Sequence, residues 1–173
     1  PATSSADSYT GGDNVSVSAK NNLVTSESKG YHSDEQGNWY YADGNGNKLT
    51  GAQIIDSVKV YFDENGVQVK GAFAPAKESI FSPDRHYYDK DSGALVTNRY
   101  VEVDGNWYYV DENGRMLTGY HTIDGVEVYF SEYDGHQAKG EFSGNGDTGD
   151  FYDWDSGARI TGKEGTPKFI KTR

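Results

Sequence analysis

The sequence predicts an all-β chain built as an array of short, stacked β-hairpins, and three observations carry that expectation. The content of Val, Ile, Leu and Phe is too low for one ordinary globular core: together they number 30 of 173 residues and the formal charge is −11, a pairing that by itself marks disordered chains. The missing apolar surface is aromatic, in 14 Tyr, 7 Phe and 3 Trp, each ring able to bury roughly 150–250 Å². Finally, 22 Gly stand against one Met and four Leu, which disfavours a leucine-packed helical bundle and favours strands joined by glycine turns.

A duplication organises the chain. Gly37-Asn38-Trp39-Tyr40-Tyr41 recurs 68 residues later as Gly105-Asn106-Trp107-Tyr108-Tyr109. At the same shift Leu49-Thr50-Gly51 matches Leu117-Thr118-Gly119, and Val60-Tyr61-Phe62 matches Val128-Tyr129-Phe130. One inserted residue then aligns Gln68-Val69-Lys70-Gly71 with Gln137-Ala138-Lys139-Gly140, and a shorter loop brings Asp91-Ser92-Gly93 onto Asp155-Ser156-Gly157. The two super-repeats span about 37–98 and 105–162, within a repeat array of 22–162.

Inside each copy runs a finer period. Tyr40, Tyr61, Tyr87, Tyr108, Tyr129 and Phe151 each open an aromatic pair, and Gly51, Gly71, Asn98, Gly119, Gly140 and Gly162 follow ten or eleven residues on. Each of the six modules reads as aromatic strand, turn, second strand, linker. The turn dipeptides are Asp43-Gly44, Asn65-Gly66, Ser92-Gly93, Asn113-Gly114, Asp134-Gly135 and Ser156-Gly157, all able to supply the positive φ of a hairpin turn. A lone hairpin is marginal in water, but hairpins stacked on their neighbours bury aromatic faces without needing a single core.

The flanks differ. Residues 1–21 are rich in Ser, Thr, Gly and Asn and read as a flexible linker or degenerate repeat, 163–173 as a C-terminal tail, and 72–85, with Pro75 and Pro83, as a surface loop. The opening Pro1-Ala2-Thr3, without Met or secretory leader, is expected of a processed product or a piece of a longer protein.

Absences narrow the function. No Cys is present, which removes disulfides and thiol chemistry. The lack of an 18-residue apolar run argues against a membrane span, and a pI of about 4.7 against nucleic acid. Asp89, Asp91, Asp150, Asp153 and Asp155 lack a complete calcium loop with its terminal Glu, and turn chemistry explains them better. His32, His86, His121 and His136 show no ligand spacing, so neither a metal nor another cofactor is expected. Glycoside chemistry needs two carboxylates at a fixed separation in a cleft, which a hairpin stack does not readily offer, so this chain is expected not to be an enzyme.

The series Trp-Tyr-Tyr, Asn-Gly, Leu-Thr-Gly, Tyr-Phe, Gln-x-Lys-Gly over about residues 37–162 resembles the glucan-binding repeats of extracellular bacterial glucansucrases of the dextransucrase type, relatives of choline-binding repeats. The resemblance implies a β-solenoid of stacked hairpins that binds α-glucan polysaccharide or isomalto-oligosaccharide. It further implies a secreted or cell-wall-associated chain, with any catalytic domain of a parent glucansucrase lying elsewhere; a monomer is expected.

Strand parity names candidate binding residues. Trp39 and Tyr41 share one face, as do Trp107 and Tyr109, and Gln68 projects with Lys70 as Gln137 does with Lys139. An aromatic plate stacks on the C–H face of a glucose ring while amide and ammonium bond its hydroxyls, and the four Gln and Lys positions match the pocket motif of the resembled family. Tyr88 and Tyr152, second rings of their aromatic pairs, join the candidates. Gln53 does too, together with His121, which replaces it in the second copy. Two other readings stay open: a choline-binding module anchoring a protein to the cell wall through aromatic cages, which a charge of −11 would suit, and a structural or adhesion repeat with no sugar pocket.

Overall fold

The computed structural model describes residues 28–75, 84–144 and 148–161. Residues 1–21 and 163–173, expected as linker and tail, lie outside that range. Every regular element among the described residues is a β-strand, and no helix is long and apolar enough to cross a membrane. The strands fall into two compact units, Pro1–Ala74 with Tyr87–Val96 and Pro75–His86 with Thr97–Arg173.

In the first unit β1 (Gly30–Ser33) pairs antiparallel with β2 (Trp39–Ala42), and β3 (Gly51–Ile55) with β4 (Val58–Phe62). β5 (Ala72–Pro75) pairs with β6 (Arg85–Tyr88), and the division between units passes through this pair. The register sets Tyr31 opposite Tyr41 and Ser33 opposite Trp39 on one face. Tyr31, 2% exposed, is the hub. It meets Tyr41 edge-on at 5.0 Å and Trp39 at 6.4 Å, and leans on Phe62 of the next hairpin at 6.3 Å. Edge-to-face pairs of this kind contribute about 0.5–1.5 kcal/mol beyond the area they bury.

The second unit repeats that packing. β7 (Arg99–Val103) pairs with β8 (Asn106–Val110), β9 (Gly119–Ile123) with β10 (Val126–Phe130), and β11 (Glu141–Phe142), β12 (Phe151–Tyr152) and β13 (Arg159–Ile160) form a three-stranded sheet. Tyr100 lies 4.9 Å from Tyr109, 6.5 Å from Trp107 and 6.3 Å from Phe130. Tyr129 on Tyr152 at 6.0 Å likewise matches Tyr61 on Tyr88 at 5.8 Å in the first unit.

Four successive pairs of hairpins are tied by a backbone bond. In the first unit the Gln68 N–H donates to the Trp39 carbonyl at 2.7 Å and the Leu95 N–H to Lys59 at 2.9 Å; in the second, Met116 donates to Arg85 at 2.9 Å and Gln137 to Trp107 at 2.7 Å.

Three expectations need correction. The aromatic strand is the second strand of its hairpin. The tight turns precede it, at Asp56-Ser57, Asp104-Gly105 and Asp124-Gly125, where both residues have positive φ as a two-residue type I′ turn requires. The expected turns, whose glycines all have φ between 77° and 92°, instead close loops after the strand. In three of them an Asp carboxylate accepts amides two and four residues on, as Asp63 does from Asn65 at 2.8 Å and Val67 at 2.9 Å, and Asp89 and Asp153 accept amides two and three residues on. Such a loop satisfies its own backbone, so in five of the described modules the chain returns as a single bridge, for example Phe62 with Gln68, and not as a strand. The expected linkers hold the first strand of the following hairpin, so each copy begins earlier than 37 and 105, at Gly30 and Arg99. Lastly, the loop expected over 72–85 includes strand β5 at Ala72–Pro75 and the start of β6 at Arg85; 76–83 lie outside the described residues.

Candidate functional site

The candidate residues gather where a trailing loop returns across the preceding hairpin. In the first unit the backbone tie of Gln68 to Trp39 carries Lys70 over the indole, its Nζ 5.6 Å from the ring centroid, while that ammonium also donates to the Asp91 carbonyl at 3.3 Å. In the second unit the tie of Gln137 to Trp107 brings the Lys139 Nζ to 5.3 Å from its ring. Half-buried plates capped by a cation thus occur twice, placed by the same local geometry.

Gln68 and Gln137 stand on the inner side of this arrangement, 8% and 5% exposed. A Cβ added at Gly93 would run into the Gln68 amide, and one at Gly157 into that of Gln137, so each amide packs on the glycine turn of the following module. The Gln68 Nε2 is buried without a hydrogen bond of good geometry, and the amide lies near enough to the Tyr31 hydroxyl to oppose the burial that pushes this phenol up to about 12.

The remaining candidates are placed elsewhere. Tyr41 and Tyr109 pack edge-on against Tyr31 and Tyr100. Tyr88 and Tyr152 are interior, 3% and 1% exposed, and burial raises both phenols to about 12; they brace Tyr61 and Tyr129 and leave no ring face for a sugar. Gln53 donates from Nε2 to the Thr50 carbonyl at 2.8 Å, and His121 makes the same bond from Nε2 to Thr118 at 2.8 Å. The exchange of Gln for His therefore preserves a turn contact, and a carbonyl partner fixes the Nε2–H tautomer of His121.

The second copy adds residues that sequence reasoning missed. Trp107, Gln137 and Lys139 line a groove of about 370 Å³ together with His136, Glu141 and Trp154. Trp154 lies over Gly140, where a Cβ would strike its ring, whereas the first copy has Lys90 over Gly71. A signal was present: Trp154 is the one tryptophan outside the Trp-Tyr-Tyr motif, aligned with a lysine. His136, aligned with Val67, is clamped between Asp134 at 2.6 Å and Glu141 at 2.9 Å. Its hydrogen bond to Glu141, with Asp134 assisting, raises its pKa to about 9. Among the described residues no group of acidic and histidine side chains could hold a metal ion.

Comparison with known proteins follows the same division. The profile of the choline-binding repeat matches residues 49–100 and 117–163, and that of a cell wall binding repeat matches 30–48 and 98–116. Glucosyltransferase-S of Streptococcus mutans is 44% identical over 112 residues, 64% of this chain and 7% of the relative. Glucosyltransferase-I of Streptococcus downei is 38% identical over 132 residues, 75% of this chain and 8% of the relative. The chain thus spans under a tenth of the length of these relatives. Among solved structures, choline binding protein F of Streptococcus pneumoniae is 26% identical with a TM-score of 0.59, over 80% of this chain and 45% of that one. CbpJ of Streptococcus pneumoniae, 24% identical with a TM-score of 0.59 over 84% of this chain and 47% of that one, shares the fold.

Proposed function

The chain belongs to the choline-binding repeat family, and from that premise we propose that it is a non-catalytic module holding an α-glucan of the dextran type, as an ancillary part of a secreted or cell-wall-associated glucansucrase. The observation that carries the reading is the pair of lysine-capped tryptophans, Trp39 with Lys70 and Trp107 with Lys139, in a chain whose curated relatives are glucosyltransferases. The indole offers its face to the C–H side of a glucose unit, and the ammonium donates to hydroxyls in the plane of the ring. Gln68 and Gln137 support the plates from beneath, each amide packed on the glycine turn of the following module. Within each unit the hairpins succeed one another as a β-solenoid, tied through the backbone bonds of their trailing loops, and the module works as a monomer.

The family name favours choline as a second reading, and the same geometry argues against it here. A quaternary ammonium binds over an aromatic face within about 6 Å of the ring centroid, and in this chain the Lys70 and Lys139 ammonium groups, 5.6 and 5.3 Å from the two centroids, repel a second cation there but not a neutral glucose unit.

Native electrophoresis in gels cast with dextran tests the choice. Retardation is expected and should change little between low and high salt, since the ligand is neutral, and choline should not relieve it. Replacing Lys70 and Lys139 together by Ala should weaken retention by about tenfold or more, the scale of a hydrogen bond from a charged donor. Full retention in that double variant, with the fold intact, sinks the assignment.

A further inference from the structure

The second unit has another groove, of about 550 Å³, which shares no lining residue with the one at Trp107. The pairing of β9 with β10 puts Tyr120 opposite Tyr129 and Thr122 opposite Glu127 on one face of the hairpin. Tyr120 is 61% exposed, yet it is held: its ring leans on Tyr129 at 4.7 Å and its hydroxyl meets that of Ser143 at 2.8 Å. Arg159 on β13 completes the wall. Its Nη1 donates to Glu127 at 3.1 Å, while Nε and Nη2 face the two oxygens of Asp150 at 3.3 and 3.4 Å.

The first copy has none of this. Tyr120, Glu127 and Arg159 align with Ala52, Lys59 and Leu95, so a ring, an acid and a base appear together at one groove. Stability is a weak reason for them, because exposed ion pairs contribute about 0–1 kcal/mol and the first copy joins the equivalent elements with Leu95, through a backbone bond to Lys59.

We propose that this groove is an additional binding site for a neutral sugar unit, resting on the reading that the chain holds α-glucan. Tyr120 supplies the stacking plate. Glu127 and Asp150, held in place by Arg159 before any ligand arrives, keep free lone pairs for adjacent hydroxyls, and the guanidinium donates to a hydroxyl or ring oxygen. The triad carries one net negative charge, which disfavours phosphorylated polymers.

The test follows the Arg159 Nε–H, the Tyr120 ring and the Trp107 indole N–H by NMR in the full chain, titrated with isomaltotriose and separately with choline chloride. Saturable isomaltotriose shifts at Arg159 and Tyr120 are expected, and they should persist in the Lys70→Ala, Lys139→Ala double variant. Tyr120→Ala should weaken binding at Arg159 by about tenfold, the scale of one aromatic contact. If that variant loses its dispersed spectrum, Arg159→Leu, which installs the first copy's residue, should weaken the Tyr120 response to the same extent. Movement at Trp107 with none at Arg159 and Tyr120 overturns this site and leaves the glucan reading standing. Silence at all three probes overturns both. Saturation by choline overturns the ligand class.

Discussion

His136 shows how a single replacement adds an environmental response. Its pKa is raised from 6.5 to about 9 by Glu141 and Asp134, so the charged form is favoured in the folded chain. A base with a raised folded pKa contributes stability that is complete below its unfolded value and disappears as pH climbs through the folded one. Thermal melts of the second unit should therefore fall between about pH 6.5 and pH 9, and His136→Val, which restores the first copy's residue, should flatten that slope. Trp154 makes a matching case at the groove. Trp154→Lys gives the second copy the first copy's side chain over glycine, and should reduce isomalto-oligosaccharide affinity there by about tenfold, read by calorimetry, with the melting temperature little changed.

Individual hairpins depend on backbone positions that few residues tolerate. Gly93 has φ 77° and the Gln68 amide against it, so Gly93→Ala should destabilise the first unit by about 1–2 kcal/mol or more in urea unfolding, since left-handed backbone alone costs that much for a residue with Cβ. Asn98, at φ 53°, occupies the place that glycine takes in other modules. Those loops were legible in the sequence because the demand for positive φ is met by the residue itself. Strand order within a hairpin was not. Asp104-Gly105 and Asn113-Gly114 look alike on paper, and only the ladder of β7 with β8 tells the tight turn from the self-satisfied loop. Tyr31 and Tyr100 were missed for a simpler reason: they lie 69 residues apart, one off the shift that aligns the Trp-Tyr-Tyr motifs.

For the chain as a whole, the proposed glucan binding makes duplication bear on retention more than on any single contact. Two weak sites on one chain raise the effective concentration of the second to the order of mM. Lys139→Ala alone should thus reduce retention by long dextran severalfold more than it reduces average affinity for isomaltotriose, a difference measurable by comparing gels with calorimetry. The approach of Lys to Trp was legible in the parity of Gln-x-Lys and Trp-Tyr-Tyr, whereas the burial of Gln68 and Gln137 was not, because the glycine turn that covers each amide is contributed by the following module.

Four ties between hairpins are main-chain hydrogen bonds, and their donors are Gln68, Leu95, Met116 and Gln137, four side chains of three kinds. Where the joint ignores side-chain identity, as at Leu95 and Met116, its own residue is open to drift. New chemistry can arise at such a seam without loosening the scaffold, so a lineage that copies these modules can diversify its ligands one seam at a time.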